Sequence, residues 1–151
     1  MLFFCNILLL LFFSPEQSNN FVHCDGLEDL CRSLLKNNSL VRLGLNDNYI
    51  GVRGVDSACT LLRSNQRLRD LCLNHNPSIG PEGAIKLGSL LGDPDCVLEG
   101  LALSGCSLMD TSSEPLYAPK EGMHLFAIGI GRNASLRRYI QGIHLYTFCM
   151  C

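Results

Sequence analysis

There is no tryptophan in the sequence, aromatic residues make up only 7% of it, and charged residues only 17%. Twelve Lys and Arg stand against fourteen Asp and Glu, a net charge of −2 with no basic block, so the electrostatic footprint of a nucleic-acid-binding protein is missing. Nine cysteines are present, yet they show neither the paired C-x-x-C sets of structural zinc sites nor the even spacing of a small secreted disulfide framework. No phosphate-cradling G-x-x-x-x-G-K-[ST] loop occurs. The four histidines, His23, His75, His124 and His144, fall in unrelated local settings, and no spacing sets two of them beside a nucleophile. The expectation is a non-catalytic chain with no metal, no cofactor, no nucleic acid and no small-molecule substrate.

Long apolar runs are also scarce. The one at the start, "MLFFCNILLLLFF", offers about a dozen apolar residues where a membrane span needs about 20. Its length suits a signal-peptide core, but no Lys or Arg precedes it and the following "SPEQSNN" lacks an A-x-A-like cleavage site. Scattered cysteines point to reduced thiols and a cytoplasmic setting. The alternative is secretion, in which case residues 1–19 are a signal peptide and the sequons at Asn37 and Asn133 become glycosylation sites.

What fills the rest of the 151 residues is a repeat. Leu40, Leu43, Leu45, Asn48 and Ile50 are echoed by Leu68, Leu71, Leu73, Asn76 and Ile79, then by Leu98, Leu101, Leu103, Cys106 and Leu108, at periods of 28 and 30 residues. Between these blocks lie "GLEDLCRSLLKN", "GVDSACTLLRSN", "GAIKLGSLLGDP" and "GMHLFAIGIGRN", each opening on a glycine. Counting from that glycine, the fourth residue on is Leu30, Ala58, Leu87 or Phe126, and the eighth is Leu34, Leu62, Leu91 or Ile130, which makes one apolar helical face. The fifth is small or thiol-bearing: Cys31, Cys59, Gly88 or Ala127. Three of the four segments end on an asparagine, Asn37, Asn65 or Asn133, three residues before the next leucine. Each unit therefore reads as a short strand, a turn and an amphipathic helix.

These residues resemble the leucine-rich repeat, L-x-x-L-x-L-x-x-N/C-x-L, in its ribonuclease-inhibitor-like form, which is also found in NOD-like receptors and Ran GTPase-activating proteins. The resemblance implies an α/β solenoid, a horseshoe segment of about three to four repeats with parallel strands on the concave face and α-helices on the convex face. It also implies that Asn48, Asn76 and Cys106 turn inward to satisfy backbone groups of the turn. Residues 20–140 carry the repeats, with an exposed loop inserted at 109–121, and residues 141–151 form an irregular hydrophobic tail. The frame starts in mid-unit at Asn20, because the leucine slots before it hold Phe12, Pro15 and Gln17; at the far end Leu136 and Tyr139 begin a fourth strand.

Strand alternation fixes which residues face outward from the concave sheet: Arg42, Gly44, Asn46 and Asp47; Asp70, Cys72, Asn74 and His75; Gly100, Ala102, Ser104 and Gly105. Arg42 and Asp70 hold equivalent positions and are expected to pair on a solvated face. No aromatic residue lies there, and Arg42 and His75 are its most distinctive members. The leading expectation is a module that binds a protein partner through this face. The alternatives are a truncated piece of a larger repeat array without independent function, and a regulator of a small GTPase acting through Arg42 or Arg53, a reading by analogy of fold alone.

Overall fold

Strands of three residues and helices of three or four turns cannot bury their apolar faces alone, and in the computed structural model they do so against their neighbours in sequence. The structure describes residues 22–109 and 118–140; the leader at 1–19, the tail at 141–151 and most of the insertion lie outside them. The order is α1 (Cys24–Leu34), β1 (Arg42–Gly44), α2 (Val52–Ser64), β2 (Asp70–Cys72), a 3₁₀ turn (Pro77–Ile79), α3 (Gly80–Leu91), β3 (Gly100–Ala102), α4 (Ala118–Arg132) and β4 (Arg138–Ile140). The four strands form one parallel sheet in sequence order. Its core packs Leu43, Leu71 and Leu101 from the strands against helix residues such as Leu27, Val55, Leu87 and Phe126.

The inward slots behave as the spacing requires. Asn76, fully buried, donates Nδ2 to the carbonyls of Leu45, Leu73 and Asn74, while its Oδ1 accepts from the Ile50 N–H at 3.0 Å. Asn48 does the same one repeat earlier, donating to Leu45 O and Asn46 O and accepting from Val22 N. Cys106 donates its thiol to Leu73 O at 3.0 Å. A thiol suffices there because the preceding turn is one residue longer: Ile79 N–H is satisfied inside the 3₁₀ turn by Asn76 O and Gly80 N–H by the backbone carbonyl of Cys106, so no side-chain acceptor is needed from position 106. At the opposite end of each unit, Asn37, Asn65 and Asn133 each accept from the backbone N–H of the leucine three residues on.

The helices depart from the sequence reading in three respects. They begin two to four residues before the recurring glycine, which sits in the first turn to receive the turn's isoleucine: an added Cβ on Gly83 would lie 2.4 Å from Ile79 Cγ2. Helix α4 starts at Ala118, inside the stretch 109–121 read as loop. Ala127, expected in the buried small-residue slot, is exposed, whereas Cys31, Cys59 and Gly88 are buried, because that slot faces the following helix and α4 has none among the described residues. The glycines of "GMHLFAIGIGRN" and Gly88 let α3 and α4 touch backbone to backbone. A Cβ on Gly129 would stand 2.2 Å from Gly88 O, and one on Gly88 2.7 Å from Leu125 O.

Candidate functional site

Parallel pairing puts equivalent residues in rows across the concave face. The first row is Arg42, Asp70, Gly100 and Arg138, the second Gly44, Cys72, Ala102 and Ile140. Neighbouring strands lie about 4.8 Å apart, so Arg138 must reach past a whole strand to meet Asp70, and it does, with Nη2 2.7 Å from Oδ1. Gly100 clears the way, since a Cβ there would fall 2.1 Å from Asp70 Oδ1. Arg42 approaches the other oxygen, Oδ2, from β1 at 3.4 Å through both Nε and Nη2.

Asp70 is thus not the solvated half of a simple pair. Its side chain is only 13% exposed beneath two arginine side chains that are 63% and 59% exposed. Ala102, also expected to face solvent, is buried in the second row. Arg138 lies one strand beyond the three outward rows that the sequence pattern singles out, although the alignment of Leu136 and Tyr139 with Leu98 and Leu101 already places it opposite Gly100.

Beyond the strand ends, Asn46 and Asn74 are committed to holding the repeats in register: Asn46 Oδ1 accepts from Asn74 N, and Asn74 Oδ1 accepts from Ser104 N, at 2.9 and 2.8 Å. The next position, Asp47, His75 and Gly105, is left-handed in all three repeats, with φ of 53°, 56° and 69°. Glycine fits it without strain, and aspartate and histidine are among the side chains that tolerate it. His75 Nδ1 meets Asp47 Oδ1 at 2.8 Å. Gly44 and Ser104 are half-buried, and a Cβ on Gly44 would meet nothing within 4 Å.

Chemically the face offers charge and hydrogen bonds rather than a nucleophile. The half-buried Cys72 thiol is pushed up by burial first, with Asp70 adding and Arg42 and Arg138 opposing. Burial also raises Cys31 and Cys59, each to about 12, and Cys106, where a backbone hydrogen bond from Asn76 pulls the other way. Buried thiols of this kind are poor nucleophiles. No group of three His, Cys, Asp or Glu among the described residues is arranged to hold a metal ion, and no described helix is long and apolar enough to cross a membrane. Arg53 lies on α2, away from Arg42, and pairs with Asp25 and Glu28 of α1. Lys86–Asp56 continues such pairing from α3 to α2, and Arg63 of α2 pairs with Asp93 in the turn after α3, along the convex side, where exposed ion pairs contribute little.

No protein-family model matches the chain. Among curated proteins it is 31% identical over 107 residues to a ribonuclease inhibitor of Mus musculus, a match that covers 70% of this chain and 23% of that protein. It is 34% identical over 89 residues to a ribonuclease inhibitor of Sus scrofa, covering 58% of this chain and 19% of that protein. Together with the repeat period and the inward Asn/Cys slot, these relatives decide the matter. The repeats are leucine-rich repeats of the ribonuclease-inhibitor-like subtype. The human NACHT, LRR and PYD domains-containing protein 5 is also similar, 32% identical over 119 residues that make up 78% of this chain and 10% of the relative. The chain therefore spans less than a quarter of the length of each of these relatives. A solved structure titled Leiomodin-1 Actin-Binding Site 2 superposes with a TM-score of 0.67 at 15% identity, over 87% of this chain and 74% of that one, a likeness of fold. In this leucine-rich-repeat frame Arg42, Asp70 and Arg138 occupy outward strand positions, and Asn48, Asn76 and Cys106 the inward slot that locks one repeat to the next.

Proposed function

We propose that the chain is a non-catalytic interaction module that binds a protein partner through the concave sheet face. The observation that carries this reading is the in-register row Arg42, Asp70, Gly100, Arg138, a polar array held at fixed spacing by a rigid sheet. The convex helices, by contrast, direct much of their charge at one another. The relatives support it: ribonuclease inhibitors are named for their action on another protein. A reducing, cytoplasmic setting accompanies this proposal. It is supported by the six described cysteines, all free, of which Cys31 and Cys59 fill the helix interior and Cys106 serves as a hydrogen-bond donor.

The test is site-resolved photo-cross-linking in cells. A benzoylphenylalanine placed at Gly44 or Ser104 on the concave side is expected to yield a discrete protein adduct, and the same residue at Ser57 or Ser89 on the helices is expected to yield none. Adducts arising equally from both sides would refute the concave-face reading.

A further inference from the structure

The row Arg42, Asp70, Arg138 carries more positive charge than its own carboxylate consumes. Two guanidinium groups converge on one aspartate. The Arg42 contacts, at 3.4 Å, are long against the 2.7–2.9 Å or so of a well-formed charge-assisted bond. Along the same edge of the sheet, Arg69 pairs loosely with Glu99 at 3.5 Å and Arg137 is exposed. Four arginines therefore face two carboxylates there, although the whole chain is net −2. The surplus is local, and it sits beside an apolar floor: a hollow of about 180 Å³ bounded by Arg42, Asp70, Arg138, Cys72, Leu101 and Ala102. Sites for small-molecule ligands run to roughly 300–1,000 Å³, so this volume suits a single side chain of a larger partner.

We propose that this row recognises an Asp or Glu carboxylate of a partner protein, with the adjoining apolar side chain of the same segment seated over Cys72 and Ala102. The inference rests on the concave-face reading and narrows it to an acidic partner segment. Asp70 acts as the organiser. Buried and bonded to both arginines, it fixes their guanidinium planes on either side of the hollow, and the incoming carboxylate supplies the charge that balances the pair. Arginine is suited to this because its planar fork offers two parallel N–H donors to a carboxylate. Gly100 is part of the arrangement, since any side chain there would displace Asp70 and release Arg138.

The experiment uses the full 151-residue chain and a fluorescein-labelled pentapeptide alternating glutamate and leucine, with its glutamine counterpart as control, read by anisotropy at low salt and by NMR amide shifts. The glutamate peptide is expected to bind at least about tenfold more tightly than the glutamine peptide, and Arg42→Gln and Arg138→Gln each to weaken it by about tenfold. Thermal melts confirm that each variant is folded; both arginines are exposed and their replacement leaves the core untouched. If both peptides shift the Cys72 and Ala102 amides equally, or the arginine variants bind as the parent does, the carboxylate inference is overturned while the concave-face reading stands. If neither peptide shifts those amides, the carboxylate inference falls, and the cross-linking experiment alone decides the concave-face reading.

Discussion

Replacing Asn76 by alanine strikes the point where two repeats are joined. The side chain is fully buried; its two Nδ2 hydrogens are shared among three backbone carbonyls, and its Oδ1 accepts from Ile50 N–H. The carbonyls keep other partners: Leu45 O retains Asn48 Nδ2, Leu73 O retains the Cys106 thiol, and Asn74 O retains Asp47 N–H. Ile50 N–H keeps none from this network, and stranding a buried donor costs about 1–3 kcal/mol, to which the net loss of the two donated bonds adds roughly 0.5–1.5 kcal/mol apiece. The expected destabilisation is about 2–6 kcal/mol, a large part of the 5–15 kcal/mol or so that holds a typical domain together. Cys106→Ala occupies the corresponding slot one repeat on but strands no donor, because Ile79 N–H is satisfied within its own turn, so its expected cost is only about 1–2 kcal/mol. Urea unfolding followed by circular dichroism measures both. Equal costs, or a greater cost for Cys106→Ala, would refute the account of why one slot holds asparagine and the other cysteine.

Two glycines near the C-terminal end of α4 should respond in opposite directions. Gly129→Ala places a methyl 2.2 Å from Gly88 O and is expected to cost roughly 1–3 kcal/mol, whereas Gly131→Ala, which meets nothing within 4 Å, is expected to stabilise by about 0.5–1 kcal/mol through helix propensity; paired thermal melts decide it. Alkaline pH should unfold the chain by way of Cys31 and Cys59. Their folded values of about 12 lie above the ordinary thiol value of 9.0, so between these limits the unfolded state releases protons that the folded state retains, and stability falls as pH rises, by up to about 1.4 kcal/mol per pH unit and thiol. Urea midpoints at pH 8 and pH 10 should show this fall, and Cys59→Ala should lessen it; a midpoint unchanged with pH would contradict the burial of these thiols.

The solenoid was legible because two periodicities coincide in one chain, leucines at strand spacing and apolar residues at helix spacing, each recurring at a period of about 28–30 residues. The inward slot was legible for a similar reason: a buried turn must pair its backbone, and Asn48, Asn76 and Cys106 stand where that pairing is required. The outward face was only half legible. Alternation identifies which side chains leave the sheet, but not how they combine, so Asp70 read as one half of an exposed pair with Arg42. Asn46 and Asn74 likewise read as display residues, whereas their amide oxygens are occupied by the neighbouring repeat's backbone.

By itself the sequence determined the repeat type, the strand positions, the direction of the leucines and the chemistry of the locking slot, because each is a local consequence of spacing and of the need to pair buried polar groups. Tertiary structure alone decided that Arg138 of the fourth strand reaches past Gly100 to Asp70 of the second, and that Gly88 and Gly129 bring two helices into backbone contact. Both depend on distances between residues tens of positions apart, which are set by the stacking of whole repeats and by the absence of a single Cβ, and no local pattern encodes either.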